Sequence, residues 1–133
     1  MNNVLITGGA KGMGGTIAEL FAHEGATLAL AARSVADLDA EAARIREGLP
    51  TLESMSIGVD VTNADSCQAM AQAVLDRYGR IDVLVCNAGG FFDLPFQLDD
   101  FLFDQLQKFI EDFTKGAHVH TYLPHGLIRV LQG

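Results

Sequence analysis

The sequence predicts an α/β fold: a doubly wound parallel sheet with helices on both faces. Three observations support it. Short apolar runs alternate with longer segments of helical spacing, the runs lack a polar/apolar alternation, and a glycine-rich turn joins the first run to the first helix. At 133 residues the chain has room for one domain and not for two. With 49% hydrophobic and 20% charged residues it can build a core and does not have the composition of a disordered chain.

The first apolar run, 4–7 (VLIT), ends in Gly8 and Gly9. The second is 26–32 (ATLALAA), the third 55–61 (MSIGVDV) and the fourth 81–86 (IDVLVC). Strands covered on both faces by crossover helices read as such unbroken runs. After the first run, Ile17, Leu20 and Phe21 share a helical face, and Gly25 follows as a C-terminal cap. Ser34 is placed to cap a second helix through Leu38, Ala42 and Ile45, ending near residues 48–50. Asn63 is placed to cap a third, with Cys67, Met70, Ala71, Val74 and Leu75 inward and Gly79 at its end. The strand–helix order implies right-handed crossovers.

Residues 91–133 read as a Phe-rich helical segment. Seven of the eight Phe fall between Phe91 and Phe113, with six acids and a single base, Lys108. Leu98, Phe101, Leu102, Leu106, Phe109, Ile110 and Phe113 form a stripe suited to a core, while Phe103 lies off it and suits a partner surface. Asp99, Asp100 and Asp104 complement the dipole at that helix's start. A further helix is expected through Val119, Leu123, Leu127, Val130 and Leu131, kinked at Pro124. His118 and His125 would share one of its faces, but no carboxylate or Cys completes a metal site. The sheet then ends at four strands ordered 3-2-1-4, with the fourth as an open edge. The open edge implies an incomplete domain, truncated after the fourth strand and its following helices, and the edge and the Phe-rich helices together argue for a homo-oligomer.

Nine Lys and Arg against 17 Asp and Glu give a net charge of −8, which disfavours electrostatic binding to nucleic acid or to an anionic membrane. The N-terminus has no basic leader, and no apolar stretch approaches the ~20 residues of a membrane helix. Cys67 and Cys86 have no CxxC spacing and read as buried thiols in a reducing compartment. A cytoplasmic protein that binds neither nucleic acid nor membrane is expected.

Residues 7–14, Thr-Gly-Gly-Ala-Lys-Gly-Met-Gly, stand where the first strand passes into the first helix. Glycines there permit a tight turn and let backbone amides approach a pyrophosphate without a Cβ between them. The helix that follows presents unpaired N–H groups and the positive end of its dipole to the anion. In dinucleotide-binding folds the residue ending the second strand, about 20 residues after the glycines, reads the ribose. Here it is Arg33, 19 residues beyond Gly14. Asp or Glu would accept hydrogen bonds from the ribose hydroxyls of NAD. Arg cannot, but it pairs with a 2′-phosphate through two N–H groups, and Lys11 adds a second positive charge. The expected cofactor is NADP, with NAD less favoured.

These residues resemble the first half of a short-chain dehydrogenase/reductase, a family of Rossmann-type fold. Thr7-Gly8-xxx-Gly12-x-Gly14 is similar to the family's glycine pattern, and 31–34 (AARS) resembles its NADP-preferring members. Asp60-Val61-Thr62 is similar to the adenine-binding acid and its neighbours. Asn87-Ala88-Gly89 is similar to the turn that supports the sheet beside the cofactor ribose. The resemblance covers about residues 4–90 and implies that 1–90 are cofactor-binding βα units. The cofactor-binding residues it implies are Gly8, Lys11, Gly12, Met13, Gly14, Arg33, Ser34, Asp60, Val61, Asn87, Ala88 and Gly89.

The resemblance further implies hydride transfer assisted by a Tyr, a Lys that lowers its pKa, a Ser and an Asn. In this sequence Tyr78 has Asp82 four residues on and Tyr122 has Gly126, so the Tyr-x-x-x-Lys pattern is absent. The last serine is Ser66, and no Asn follows Asn87. No catalytic residue is assigned, and the chain alone is expected not to turn over. One function that fits is an NADP-dependent oxidoreductase represented by its cofactor-binding half, which would take a carbonyl or alcohol substrate when completed by further sequence. The alternatives are a non-catalytic NADP(H)-binding or partner-binding module and a degenerate remnant.

Overall fold

A computed structural model of the chain describes residues 2–10, 12–60, 63–86, 118–122 and 128–132. Strand β1 (Asn3–Thr7) lies between β2 (Thr27–Ala32) and β4 (Val83–Cys86), and β3 (Ser54–Gly58) pairs with the outer side of β2. All of these pairings are parallel. The crossovers that parallel pairing requires are α1 (Gly12–His23), α2 (Val35–Gly48) and α3 (Ala64–Tyr78).

Alternation along the strands divides the core in two. Val4, Ile6, Leu28, Leu30, Val83 and Val85 pack with Ala18 and Ala22 of α1 and with Leu38, Ala42 and Ile45 of α2. Leu5, Ala29, Ala31 and Leu84 face the other way, onto Cys67, Met70, Ala71 and Val74 of α3. Neither face of these strands meets water, which is why their sequences show no polar alternation. Each fully buried Leu or Ile contributes roughly 1.5–3 kcal/mol by leaving water.

The predicted helix ends are present. The Ser34 hydroxyl accepts the N–H of Asp37, and the Asn63 side chain accepts that of Ser66. Gly25 closes α1 at φ 86°: its N–H donates to the Ala22 carbonyl, and the N–H of Ala26 donates to that of Phe21. This double closure needs the left-handed conformation that glycine adopts without strain, and it lets Ala26 join Phe21 in the core. Gly79 caps α3 in the same conformation. At the N-terminal edge of the sheet, Asn3 and Asp82 are locked together. The Asn3 N–H donates to Asp82 Oδ2 at 2.8 Å, and the Asp82 N–H donates to the Asn3 carbonyl at 2.9 Å.

Three expectations are corrected. On α1 the face through Ile17, Leu20 and Phe21 is only partly inward: Leu20 is 63% exposed, while Ala18 and Ala22 are buried. The small residues Ala18 and Ala22 meet the sheet, where they permit a closer approach than Leu would, and Gly14 one turn earlier is also buried. Second, the helix expected through Val119 and Leu131 is two strands, β5 (His118–Tyr122) and β6 (Ile128–Gln132), in which those two residues are antiparallel partners. Pro124 and Gly126, which fall between the strands, are poor residues for a helix interior, and the flanking runs are rich in β-branched residues.

The sheet does not stop at four strands with β4 as an open edge; β5 pairs with β4 in parallel and β6 extends the order to β3-β2-β1-β4-β5-β6. The edge-based reason for expecting association therefore falls away. The Phe-rich stretch 91–113 lies outside the described residues, and 118–122 and 128–132 are not helical as expected. Among the described residues no helix is long and apolar enough to cross a membrane.

Candidate functional site

Parallel pairing brings the C-terminal ends of four strands to one edge. Thr7 is the register partner of both Ala31 and Cys86, and Ala32 is that of Gly58. The segments that leave this edge contain the sequence-predicted site: Gly8 after β1, Arg33 and Ser34 after β2, and Asp60 after β3. In an open parallel sheet this is the end at which ligands bind.

The turn after β1 is anchored to its neighbours. Gly8 adopts φ 72° and donates its N–H to the Ala31 carbonyl at 2.8 Å. A side chain at Gly9 would place its Cβ 3.1 Å from Leu30 Cδ2 and 3.5 Å from the Ile6 carbonyl oxygen, so the turn lies tight against the sheet. The buried Thr7 hydroxyl donates to the Val85 carbonyl at 3.4 Å and ties β1 to β4 beside the turn. Helix α1 begins at Gly12 with no acidic residue in its first turn, so no carboxylate there opposes an approaching anion. Gly15 packs against α2, where its missing Cβ makes room for Glu41; a Cβ would lie 2.6 Å from Glu41 Oε1. Arg44 ties Glu41 to Glu19 across the two helices.

Arg33 is exposed immediately beyond β2, and its neighbour Ser34 is occupied as the α2 cap. On the far side of Arg33, the N–H of Val59 donates to the Ala32 carbonyl at 2.9 Å and extends the ladder to the edge of Asp60, which is exposed. The structure thus brings Gly8, Arg33, Ser34 and Asp60 to one edge of the sheet. Gly12 and Met13 open α1, and Gly14 is buried in its first turn. Lys11, Val61, Asn87, Ala88 and Gly89 lie outside the described residues.

Sequence reasoning did not single out Ser66. Its hydroxyl accepts the N–H of Asp60 at 2.9 Å, while its own N–H donates to Asn63 Oδ1 at 3.1 Å. The Asn63-x-x-Ser66 spacing marks the start of a helix, but it does not point to Asp60, three residues before the cap.

Cys67 stands behind Asp60, with its thiol 3.9 Å from the Asp60 carbonyl. Burial, and to a lesser extent the Asp60 charge, push its pKa above the ordinary 9.0. In a Cys86→Ser background the folded chain is expected to resist an aromatic disulfide reagent at pH 8 and to react at once in denaturant. The folded state holds the thiol proton more tightly than the unfolded one. This contribution to stability is therefore fully present below pH 9.0 and is lost as pH rises through the folded value. Equal reaction rates in folded and unfolded protein would contradict the burial. Among the described residues no group of three or more His, Cys, Asp or Glu could hold a metal ion.

A family profile described as short chain dehydrogenase matches residues 2–117. A sorbitol dehydrogenase from Cereibacter sphaeroides is 41% identical over 90 residues, covering 68% of this chain and 33% of its own length. A 3-oxoacyl-acyl-carrier-protein reductase from Thermotoga maritima is 42% identical over 85 residues, covering 64% of this chain and 34% of its own. The solved alcohol dehydrogenase from the archaeon Thermococcus sibiricus, complexed with 5-hydroxy-NADP, superposes with a TM-score of 0.69 at 31% identity. That alignment covers 85% of this chain and 53% of the alcohol dehydrogenase. The chain spans about a third of the length of these curated relatives.

Proposed function

This chain belongs to the short-chain dehydrogenase family, and from that premise we propose that residues 1–90 bind NADP for an oxidoreductase acting on a secondary alcohol or ketone. The family binds nicotinamide dinucleotides. The observation that favours NADP is Arg33: an exposed guanidinium directly after β2, where a carboxylate would be needed to accept hydrogen bonds from the ribose hydroxyls of NAD. The residues present fit such a cofactor. Gly8 holds a left-handed φ, a Cβ at Gly9 would crowd Leu30, α1 opens without an acid, and Arg33 and Asp60 flank the adjoining strand ends.

In this proposal the glycine turn and the start of α1 take the pyrophosphate, with Lys11, Gly12, Met13 and Gly14 contributing. Arg33 takes the 2′-phosphate beside Ser34. Asp60, with Val61, accepts hydrogen bonds from the adenine end, and 87–89 (NAG) adjoins the ribose. The nicotinamide, when bound, supplies the hydride. The acid/base pattern Tyr-x-x-x-Lys is not among these 133 residues, so the contribution proposed for them is to bind and orient the cofactor. A second reading that the same binding residues would serve is an NADP(H)-binding module without turnover. The Phe-rich stretch 91–113 is the proposed contact with a second copy.

Titration of the full chain with NADPH and with NADH, followed by nicotinamide fluorescence, tests the proposal. NADPH is expected to bind on the order of ten times more tightly, about 1.4 kcal/mol of preference. Equal affinities would remove the role of Arg33, and binding of neither nucleotide would overturn the proposal. Sustained NADPH oxidation with a panel of ketones, above a blank, would decide against the module reading.

A further inference from the structure

The backbone of Asp60 is held at both of its polar atoms by the first turn of α3. At the preceding residue the ladder still operates, since the Val59 N–H donates to the Ala32 carbonyl of β2. The next amide, that of Asp60, points away from β2 on the outer side of this edge strand and donates to Ser66 Oγ at 2.9 Å. The Asp60 carbonyl accepts the N–H of Asn63 at 3.0 Å and lies 3.9 Å from the Cys67 thiol. Ser66 is in turn fixed, because its N–H donates to Asn63 Oδ1 at 3.1 Å. Asp60 is therefore an exposed residue on an anchored backbone.

We propose that Ser66 is a positioning residue for dinucleotide binding, holding Asp60 in place for the adenosine half of the cofactor through the hydroxyl-to-amide hydrogen bond. This rests on Asp60 being the adenine-side acid of the proposed function. The physical reason for such a device is that Asp60 follows the end of β3, where strand pairing no longer fixes the chain. A carboxylate on an ordered backbone loses less conformational freedom when it accepts a hydrogen bond from a ligand. The half-buried Ser66 hydroxyl supplies that order from a helix that is itself packed on the sheet.

The test uses the full chain and two fragments of the cofactor, 2′,5′-ADP for the adenosine half and reduced nicotinamide mononucleotide for the other. Ser66→Ala is expected to weaken 2′,5′-ADP by about five- to tenfold, the scale of one hydrogen bond, and to leave the mononucleotide unchanged. Ser66→Thr, which keeps the hydroxyl, is expected to restore binding. Asp60→Ala distinguishes loss of the adenine-side contact from loss of its positioning. If it leaves 2′,5′-ADP binding intact, Asp60 is not the adenine-side acid and the proposal fails with that assignment. If Asp60→Ala weakens binding and Ser66→Ala does not, the positioning role alone is overturned. An equal loss of both fragments together with a lower melting temperature would show Ser66 to be merely structural, also against the proposal. Amide hydrogen exchange on the unsubstituted chain provides a readout independent of folding of the variants. Protection at Asp60 should rise with 2′,5′-ADP and not with the mononucleotide, and the reverse pattern would overturn the proposal.

Discussion

An Arg33→Asp variant is expected to bind NADPH on the order of a hundred times more weakly than the unsubstituted chain, while its affinity for NADH holds or improves. Two effects add at this exposed position beyond β2. The substitution removes a charge-assisted, two-point partner for a 2′-phosphate, and it places a carboxylate where that phosphate would lie. The same carboxylate can accept hydrogen bonds from unphosphorylated ribose hydroxyls, so the loss is specific to one nucleotide. Because much of the NADPH term is electrostatic, the difference between variant and parent should shrink as salt is raised. Parallel titrations with the two nucleotides check this, and equal losses for both would mean that Arg33 does not read the 2′-position.

The second large effect concerns the fold. Leu5→Ala is expected to cost about 3 kcal/mol, out of a total of roughly 5–15 kcal/mol for a domain of ordinary stability. Leu5 is fully buried on the central strand, with α3 covering it through Met70 and Val74. Its neighbours on the sheet, Ala29 and Leu84, are held by strand pairing and cannot collapse into the space left behind. Urea denaturation followed by far-ultraviolet circular dichroism should show the midpoint lowered by on the order of 1–2 M. A loss below about 1 kcal/mol would be incompatible with a tightly packed centre to the sheet.

Most of the fold from β1 to β4 was legible because its signals are local. Unbroken apolar runs mark strands covered on both faces, Ser34 and Asn63 mark helix starts by their own side chains, and Gly25 and Gly79 mark ends that need a left-handed residue. The position of Arg33 follows from counting along one βαβ unit. The errors fall where the deciding interaction is remote or concerns size rather than polarity. Leu20 is the most apolar-looking choice for the inner face of α1, yet Ala18 and Ala22 are the residues buried against the sheet, and small size is not a signal that apolar spacing reads. Val119 and Leu131 fit a helical spacing as well as a strand. What decides between them is pairing with β4, whose Val83 is the partner of His118. No periodicity within a short window contains that information. Ser66 escaped notice because its hydroxyl serves the backbone of Asp60 and not a ligand.

The lock between Asn3 and Asp82 spans 79 residues of sequence, whereas β1 meets β2 through the much nearer pair Asn3 and Thr27. During synthesis at roughly 5–20 residues per second, the second side of the central strand therefore waits about 4–16 s for its partner to be translated. During that interval β1 and β2 become available to pair, while the other edge of β1 stays bare. Any agent that shields such edges, or any slowing of translation ahead of residue 82, will alter the yield of folded chain more than its final stability.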